Sequence, residues 1–217
     1  IDTAVLMFRR VKIGNVNGVI SGKPVHLLSG SEKKKLPQEN SLYIDIGAAD
    51  RAEALGLVSL GDRAVICGEY VETEEKIKSK AIDDRAGCAI LLALLLEESE
   101  YDFYATFTVQ EEVGLRGAKT AAFSVAPDAA VVLEATTAAD IAEVDNAHRV
   151  CALGGGPTVS FMDRATVYDR DYYNAALSSG IKCQPKAAVA GGNNSGSVHL
   201  SRGGVRTLAI SVPCRYI

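Results

Sequence analysis

The sequence predicts an α/β protein, with a central mixed sheet flanked by helices and a smaller β-rich domain before it. Short β-rich runs separated by turn residues fill the chain up to about residue 70. From residue 71 onward, helix and strand patterns alternate, which is typical of helices packed on a sheet. A long apolar run from Ala86 to Leu96 indicates a helix that needs such a sheet to cover it.

The first predicted domain, residues 1–70, consists mainly of short strands. These strands are expected at residues 5–8, 11–13, 18–20, 25–28, 41–46 and 63–67. The run Asn15-Val-Asn-Gly18 is typical of a hairpin turn. One short helix is predicted at residues 49–56, ending at Gly56. So many short strands favour a small barrel or sandwich.

The second predicted domain, residues 71–217, contains longer elements. In chain order we expect a helix after Asp84, a strand at 103–109, a helix at 117–123, a strand at 129–133, a helix at 167–177, a strand at 181–189, a short helix at 196–201 and a strand at 207–212. Because the helix after Asp84 is apolar on nearly every side, we expect it to be buried in the middle of this domain.

The composition excludes several classes of protein. Hydrophobic residues make up 47% of the 217 residues and charged residues 23%, as in an ordinary globular protein. The net charge of −4 provides no electrostatic reason to expect nucleic acid as a partner. The longest apolar run is too short to span a bilayer, so we expect no membrane partner, and no secretory signal is visible at the start of the sequence.

The cysteines favour a reducing compartment. Five are present, namely Cys67, Cys88, Cys151, Cys183 and Cys214. The number is odd, no two are close in sequence and several lie in apolar runs, which favours buried free thiols in a reducing cytoplasm. A zinc–thiolate site would need close pairs such as C-x-x-C, and the sequence has none.

Carboxylates collect at the ends of the predicted core elements. Asp83 and Asp84 begin the apolar helix, Glu111 and Glu112 follow the strand at 103–109, and Glu134 closes the strand at 129–133. At neighbouring strand ends these acids would raise each other's pKa, and bound divalent ions would remove that penalty. Two metal ions held by carboxylates, with a free carboxylate to take a proton, form a known hydrolytic arrangement.

Each acid taken alone also has an ordinary explanation. Asp83 or Asp84 fits a helix N-cap, and the Glu111–Glu112 pair fits a solvated start of a helix. Glu134 fits a strand-end acid. It is the joint placement of these acids that favours a metal site.

The histidines do not strengthen the metal prediction. The chain contains His26, His148 and His199, and none has ligand spacing such as H-E-x-x-H. We interpret all three as surface, loop or packing residues. A zinc site built from carboxylates alone would be unusual, because zinc prefers some nitrogen ligands.

Several motifs resemble one family. The runs Ala81-Ile-Asp-Asp-Arg-Ala-Gly87 and Phe107-Thr-Val-Gln-Glu-Glu-Val-Gly-Leu-Arg-Gly-Ala118, and the residues after Glu134, resemble the tetrahedral (TET) aminopeptidases. These are cytosolic metallopeptidases with two cooperating metal ions. They include glutamyl and deblocking aminopeptidases and relatives labelled endoglucanase or cellulase. The resemblance covers essentially the whole chain.

The resemblance implies roles for the acids. Asp83 would bridge two divalent metal ions, which would be zinc, with cobalt as the alternative. Glu112 would be a ligand to one metal, and Glu134 a ligand to the other, where many relatives carry Asp. Glu111 would be the catalytic general base. Asp84 receives no ligand role from the resemblance.

The resemblance also implies an architecture and partners. Residues 71–217 would be part of a zinc-peptidase-like catalytic domain, and residues 1–70 part of an inserted β-barrel dimerisation domain. Dimers would assemble into a homo-oligomeric dodecamer whose chamber admits only peptides. The family supplies one histidine to each metal, from an upstream H-x-D motif and from a segment downstream of Ile217. We therefore expect this chain to be a fragment, inactive on its own, of a larger enzyme.

The leading functional hypothesis is a metal-dependent aminopeptidase that releases N-terminal residues from short peptides. An inactive fragment or scaffold that retains the fold and the oligomer contacts is the first alternative. A glycosidase is the second, but the absence of Trp and an aromatic content of 6% disfavour a sugar cleft. A serine hydrolase is disfavoured because no G-x-S-x-G elbow is present.

Overall fold

The structure is a computed structural model that describes residues 3–217. It divides into two compact units, and the chain passes from the first to the second between Lys80 and Ala81. The sequence prediction placed the domain boundary near residue 70, and residues 1 and 2 of that first domain lie outside the described part. The first unit continues to Lys80 and includes a small hairpin that was not predicted.

The first unit is built on a four-stranded antiparallel sheet with the order β3-β2-β1-β4. Its strands and helix are β1 (Arg10–Ile13), β2 (Val16–Ser21), β3 (Tyr43–Asp45), α1 (Arg51–Leu57) and β4 (Ala64–Ile66), followed by the hairpin of β5 (Val71–Glu72) and β6 (Ile77–Lys78). A hairpin joins β1 and β2, but the turn predicted at residues 15–18 is misplaced, because Ile13 lies opposite Val16 and Gly18 pairs with Val11 inside β2. The observed turn contains Gly14 at a φ of 57°, where glycine is favoured.

A small core lies against this sheet. Val11 is 1% exposed and packs with Leu6 and Ile20, and Leu42, Ile44 and Ile66 border them. The predicted strands at 5–8 and 25–28 are wrong, because Thr3–Val5 and Val25–Leu27 form 3-10 turns. Strand formation depends on packing and pairing with a neighbouring strand. Here the backbone forms local hydrogen bonds instead, such as Leu27 N–H to Pro24 O at 2.9 Å.

The predicted helix at 49–56 is confirmed as α1, and its first turn shows why it forms. The Asp50 carboxylate accepts hydrogen bonds from the backbone N–H groups of Ala52 (2.8 Å) and Glu53 (2.9 Å). The Glu53 carboxylate reaches back to Ala49 N–H at 2.8 Å. This arrangement resembles a capping box and satisfies N–H groups that would otherwise lack partners.

The second unit contains a four-stranded mixed sheet with the order β7-β10-β8-β9. Its elements are α2 (Ile82–Leu96), α3 (Arg116–Val125), β7 (Ala129–Thr137), β8 (Thr158–Val159), α4 (Arg170–Ser178), β9 (Gln184–Pro185), α5 (Ser195–Val198) and β10 (Arg206–Cys214). β10 runs parallel to β7 and antiparallel to β8, and β8 runs parallel to β9. A mixed α/β architecture is therefore confirmed.

Two predicted strands of this unit differ from the structure. Residues 103–109 form no strand and make no strand pairing with any described residue. Phe103 and Phe107 are each 47% exposed. The strand expected at 181–189 is reduced to Gln184–Pro185. Both stretches have a β-rich pattern, but a strand needs a neighbour to pair with, and the pattern does not supply one.

The expectation that α2 is buried is wrong. The helix packs on β7 and β10, but Gly87 is its only buried residue, and Leu92 and Leu96 are 54% and 89% exposed. The other residues of the helix are exposed or half-buried. None of the helices described here has the length and apolar character needed to cross a lipid bilayer.

Replacing Asp50 by alanine is expected to destabilise the chain by about 1 kcal/mol, because α1 loses its N-cap hydrogen bonds. Urea unfolding followed by circular dichroism measures this change. Glu74→Ala, an exposed acid outside α1 that makes no hydrogen bond in the structure, is the control. Equal effects of the two substitutions would contradict the capping role.

Candidate metal centre

The candidate site lies where the start of α2 meets β7. Glu134 was expected to close its strand, but this prediction is wrong because β7 continues to Thr137. The strand extends further because it pairs with β10 along its full length, with Glu134 opposite Ser211. Glu134 is therefore held within a strand and is only 5% exposed.

The start of α2 brings two adjacent acids to this position. Ala81 has a φ of 55°, and Asp83 and Asp84 have non-helical backbone angles before the regular helix begins. The peptide bond between Asp83 and Asp84 is cis. The Asp84 carboxylate accepts a hydrogen bond from Gly87 N–H at 3.0 Å, which matches the cap predicted for it.

Gly87 is required for this arrangement because there is no room for a side chain. A Cβ atom at Gly87 would lie 2.8 Å from both Asp84 Oδ1 and the Leu133 carbonyl oxygen. Real Cβ atoms do not approach other atoms so closely, so either the carboxylate or the backbone of β7 would have to move.

Three carboxylates form a compact group. One oxygen each from Asp83, Asp84 and Glu134 lie within 4.8 Å of one another. The sequence predicted Asp83 and Glu134 as metal ligands and assigned no such role to Asp84. The structure brings Asp84 into the group as well. Two adjacent acids at a helix start were the only sequence signal for this placement, and a helix cap explained them equally well.

Glu111 and Glu112 lie near this group but are not part of it. Both belong to the turn after residue 109, where the Glu111 carbonyl accepts hydrogen bonds from Gly114 and Leu115 N–H groups. Glu111 is half-buried and Glu112 is exposed. The negative charge of Glu112 contributes to the raised pKa of both Asp83 and Glu111, which places it in their neighbourhood.

Burial and mutual repulsion raise the pKa of four of these acids. Loss of solvation is the first cause in each case. It raises the pKa of Glu134 to about 8, with further increases from Asp84, Glu111 and Asp83. The pKa of Asp84 rises to about 6 although its hydrogen bond from Gly87 opposes the rise. The pKa values of Asp83 and Glu111 also rise, through burial and then through the charge of Glu112.

The donor set fits a divalent cation. None of the ion pairs formed within residues 3–217 involves Asp83, Asp84, Glu111 or Glu134, so no basic side chain offsets their charge. A dication provides that compensation, and carboxylate oxygens are common metal ligands. The raised pKa values describe the same site without that positive charge.

The three histidines lie outside this group. His148 pairs with Asp145 at 2.8 Å on the surface. His199 Nδ1 lies 2.7 Å from the Ser195 carbonyl oxygen. His26 is exposed in the first unit. No described histidine therefore contributes to the three-oxygen group.

Sequence reasoning missed one further residue at the site. The Asn194 backbone N–H donates to Glu134 Oε1 at 3.4 Å, and its side-chain Nδ2 donates to Thr108 Oγ1 at 3.2 Å. Asn194 is 60 residues from Glu134 and 86 residues from Thr108. No local pattern could relate positions so far apart.

A half-buried group of carboxylates on a mixed α/β sheet defines a candidate metallohydrolase. The family model described as M42 glutamyl aminopeptidase matches residues 1–217. The chain therefore belongs to the M42 peptidase family.

Individual relatives agree with this assignment. A protein of Acetivibrio thermocellus that carries an aminopeptidase name is 40% identical over 96% of this chain, and the chain spans 63% of its length. The structure of an aminopeptidase from the archaeon Desulfurococcus kamchatkensis matches with a TM-score of 0.89 and 32% identity, covering 99% of this chain and 63% of that one. The TET1 peptidase of Pyrococcus horikoshii, described as able to assemble into a tetrahedron or a large octahedral shell, matches with a TM-score of 0.79 and 30% identity, covering 100% and 67%.

Gly87→Ala is expected to destabilise the chain by about 1–3 kcal/mol, because the added methyl group forces apart α2, Asp84 and β7. Gly203→Ala is the matched control, since a Cβ there meets nothing within 4 Å. Denaturant unfolding compares the two variants. If both lose the same stability, close packing at Gly87 is not the cause.

Glu134 makes the stability of the metal-free chain depend on pH. Its pKa lies at about 8 in the folded state against an ordinary value of 4.5, so between these values the folded state binds more protons than the unfolded state. Stability should therefore fall by a few kcal/mol as the pH rises from 5 to 8, since one pKa unit corresponds to about 1.4 kcal/mol.

Thermal unfolding in the presence of a chelator, repeated across this pH range, measures the loss. Glu134→Gln should remove most of the dependence above pH 6, because the amide does not titrate, while Asp84 with its pKa of about 6 still contributes near the acidic end of the range. The exposed Glu98→Gln is the control and should retain the wild-type dependence. The same slope in all three proteins would show that Glu134 is not the group responsible.

Proposed function

We propose that the complete protein is a metal-dependent aminopeptidase that removes N-terminal residues from short peptides. Membership of the M42 family supports this activity. The observation that carries it is the half-buried group of three carboxylates formed by Asp83, Asp84 and Glu134, with Glu111 beside it. Because this chain spans 63% of the length of its A. thermocellus relative, the activity is proposed for the complete protein.

The proposed metal ligands follow the family resemblance and are supported in part by the geometry. Asp83 is proposed to bridge two divalent ions, zinc or cobalt, and Glu134 to bind one of them. Asp84 places a further carboxylate oxygen within 4.8 Å of theirs, where it could also contact a bound ion. Glu112 lies outside the three-oxygen group, so its proposed role as ligand to the other ion rests on the resemblance. When bound, two such ions would lower the pKa of water and polarise the scissile carbonyl.

Glu111 is proposed as the general base. Its carboxylate takes one proton from the attacking water as the new C–O bond forms, and it passes that proton to the leaving amino group as the C–N bond breaks. Burial and the neighbouring acids raise the pKa of Glu111. A raised pKa makes a carboxylate a stronger base towards a water proton.

The β-rich first unit is proposed to be the inserted barrel through which dimers form, and the dimers to assemble into a dodecamer. The assembly reported for the P. horikoshii relative supports a large homo-oligomer. A closed shell would admit extended peptides and exclude folded proteins. A cytoplasmic location agrees with the five free cysteines found in the structure. The expected burial of these thiols is wrong for Cys67 and Cys88, which are exposed.

An assay with aminoacyl p-nitroanilides tests the activity. The metal-loaded complete protein should hydrolyse them, and a chelator should abolish the hydrolysis. If fully metal-loaded protein leaves these substrates and free peptides intact, the inactive-scaffold alternative is correct. Hydrolysis of a β-glucan instead of a peptide would favour the glycosidase alternative.

Glu111→Gln is expected to lower kcat by about 100- to 10,000-fold, the usual contribution of a general base. Its metal content should stay close to that of the wild type, because Glu111 acts on water. Glu134→Gln should lose metal as well as activity. Elemental analysis of both purified variants decides the assignment, since metal loss in Glu111→Gln equal to that in Glu134→Gln would make Glu111 a ligand.

A further inference from the structure

A buried polar network fixes the turn that precedes and begins α5. Asn193 Nδ2 donates to the Tyr168 hydroxyl at 2.9 Å, and Asn193 Oδ1 accepts from Ser195 N–H at 2.8 Å. The Tyr168 hydroxyl in turn donates to the Asp163 carboxylate. All four of these residues are buried, with exposures of 8% or less. A fully buried network of this kind holds the backbone of residues 193–195 in one conformation.

Asn194 lies between the two anchored residues of this turn and makes two contacts in the candidate metal centre. Its backbone N–H donates to Glu134 Oε1 at 3.4 Å, while its side-chain Nδ2 donates to Thr108 Oγ1 at 3.2 Å. Asn194 Oδ1 is buried without a hydrogen-bond partner. The bond to Thr108 is thus the one hydrogen bond that this side chain makes in the described structure.

The segment that carries Thr108 makes few other hydrogen bonds to the rest of the described chain. Residues 103–109 pair with no strand, and the backbone bonds that follow, such as Gly117 N–H to Val109 O at 3.0 Å, remain inside residues 109–117. Within residues 3–217, the bond from Asn194 to Thr108 is the one hydrogen bond that ties residues 103–113 to a distant part of the chain. Thr108 precedes Glu111 by three residues.

We infer that Asn194 is a positioning residue, which sets the distance between Glu134 and the segment that carries Glu111. The rigid turn provides the fixed point, its backbone N–H orients the Glu134 carboxylate, and its side chain holds Thr108. The consequence for turnover rests on the aminopeptidase function proposed above. The tether, by which we mean the hydrogen bond from Asn194 to Thr108, does not depend on that function.

The test removes the Thr108 hydroxyl without changing the shape of the side chain. Thr108→Val deletes the bond, and Thr108→Ser keeps the hydroxyl. Thr120→Val is the matched control, because the Thr120 hydroxyl bonds only to Gly117 O at 3.0 Å within α3. In the metal-loaded complete protein, Thr108→Val should lower kcat about tenfold, the equivalent of one hydrogen bond, with KM nearly unchanged. Thr108→Ser should restore kcat.

A double substitution tests the bond itself. Asn194→Ala removes the same bond from the other side and keeps the backbone N–H to Glu134. Because both substitutions break one interaction, the Asn194→Ala/Thr108→Val variant should be no slower than the slower single variant. Additive losses would overturn the inference, as would a Thr108→Ser variant as slow as Thr108→Val.

Amide hydrogen exchange provides a readout that requires no activity. In metal-free protein, Thr108→Val should speed exchange at residues 109–114 about tenfold while β7 and β10 exchange as in the wild type. Unchanged exchange at 109–114, or equal acceleration in β7 and β10, would overturn the tether. Faster exchange confined to 109–114, together with no peptidase activity in the metal-loaded complete protein, would leave the tether standing and refute the proposed function.

Discussion

The structure depends on holding three carboxylates together against their own repulsion. Oxygens from Asp83, Asp84 and Glu134 lie within 4.8 Å of one another, with Glu134 buried and the two aspartates half-buried. Burial and proximity together raise the pKa of Asp84 to about 6 and that of Glu134 to about 8. Without a positive charge this group favours protonation, whereas a divalent cation would let all three carboxylates remain ionised.

The scaffold around the group explains how such a site persists. β7 and β10 pair in parallel over nine residues, which fixes Glu134 along the sheet. The start of α2 packs closely on β7 at Gly87. Because Gly87 has no side chain, the Asp84 carboxylate and the Leu133 carbonyl oxygen can both approach its backbone. β7 therefore positions Glu134, and the start of α2 positions the two aspartates.

The sequence predicted those parts of the site that follow from local pattern. The acids singled out by their placement included Asp83 and Glu134, which the structure brings into one group, although Glu134 lies within β7 and not at its end. The same reasoning left Asp84 as a helix cap, and it does cap the helix, but its carboxylate also joins the group. Asn194 could not be found in this way, because its partners lie 60 and 86 residues away and only tertiary folding brings them together.

In the fold, too, features with local sequence signals were predicted, whereas features that depend on distant neighbours were not. The hairpin of β1 and β2 (except the position of its turn), the helix α1 and the long strands β7 and β10 were predicted because their signals are local or strongly periodic. The strand expected at 103–109 and the burial of α2 were wrong, because both depend on neighbours. A strand pattern does not form a strand without a partner, and an apolar helix is buried only where other elements cover it.

The central claim is that the group of carboxylates retains protons until a divalent cation replaces them. Titrating metal-free complete protein with Zn²⁺ at pH 7, in buffers of different ionisation enthalpy, measures the protons released per ion bound. The account predicts stoichiometric binding with release of about one proton for each chain, because Glu134 with a pKa of about 8 is mostly protonated at that pH. Binding without proton release, or no binding at all, would contradict it.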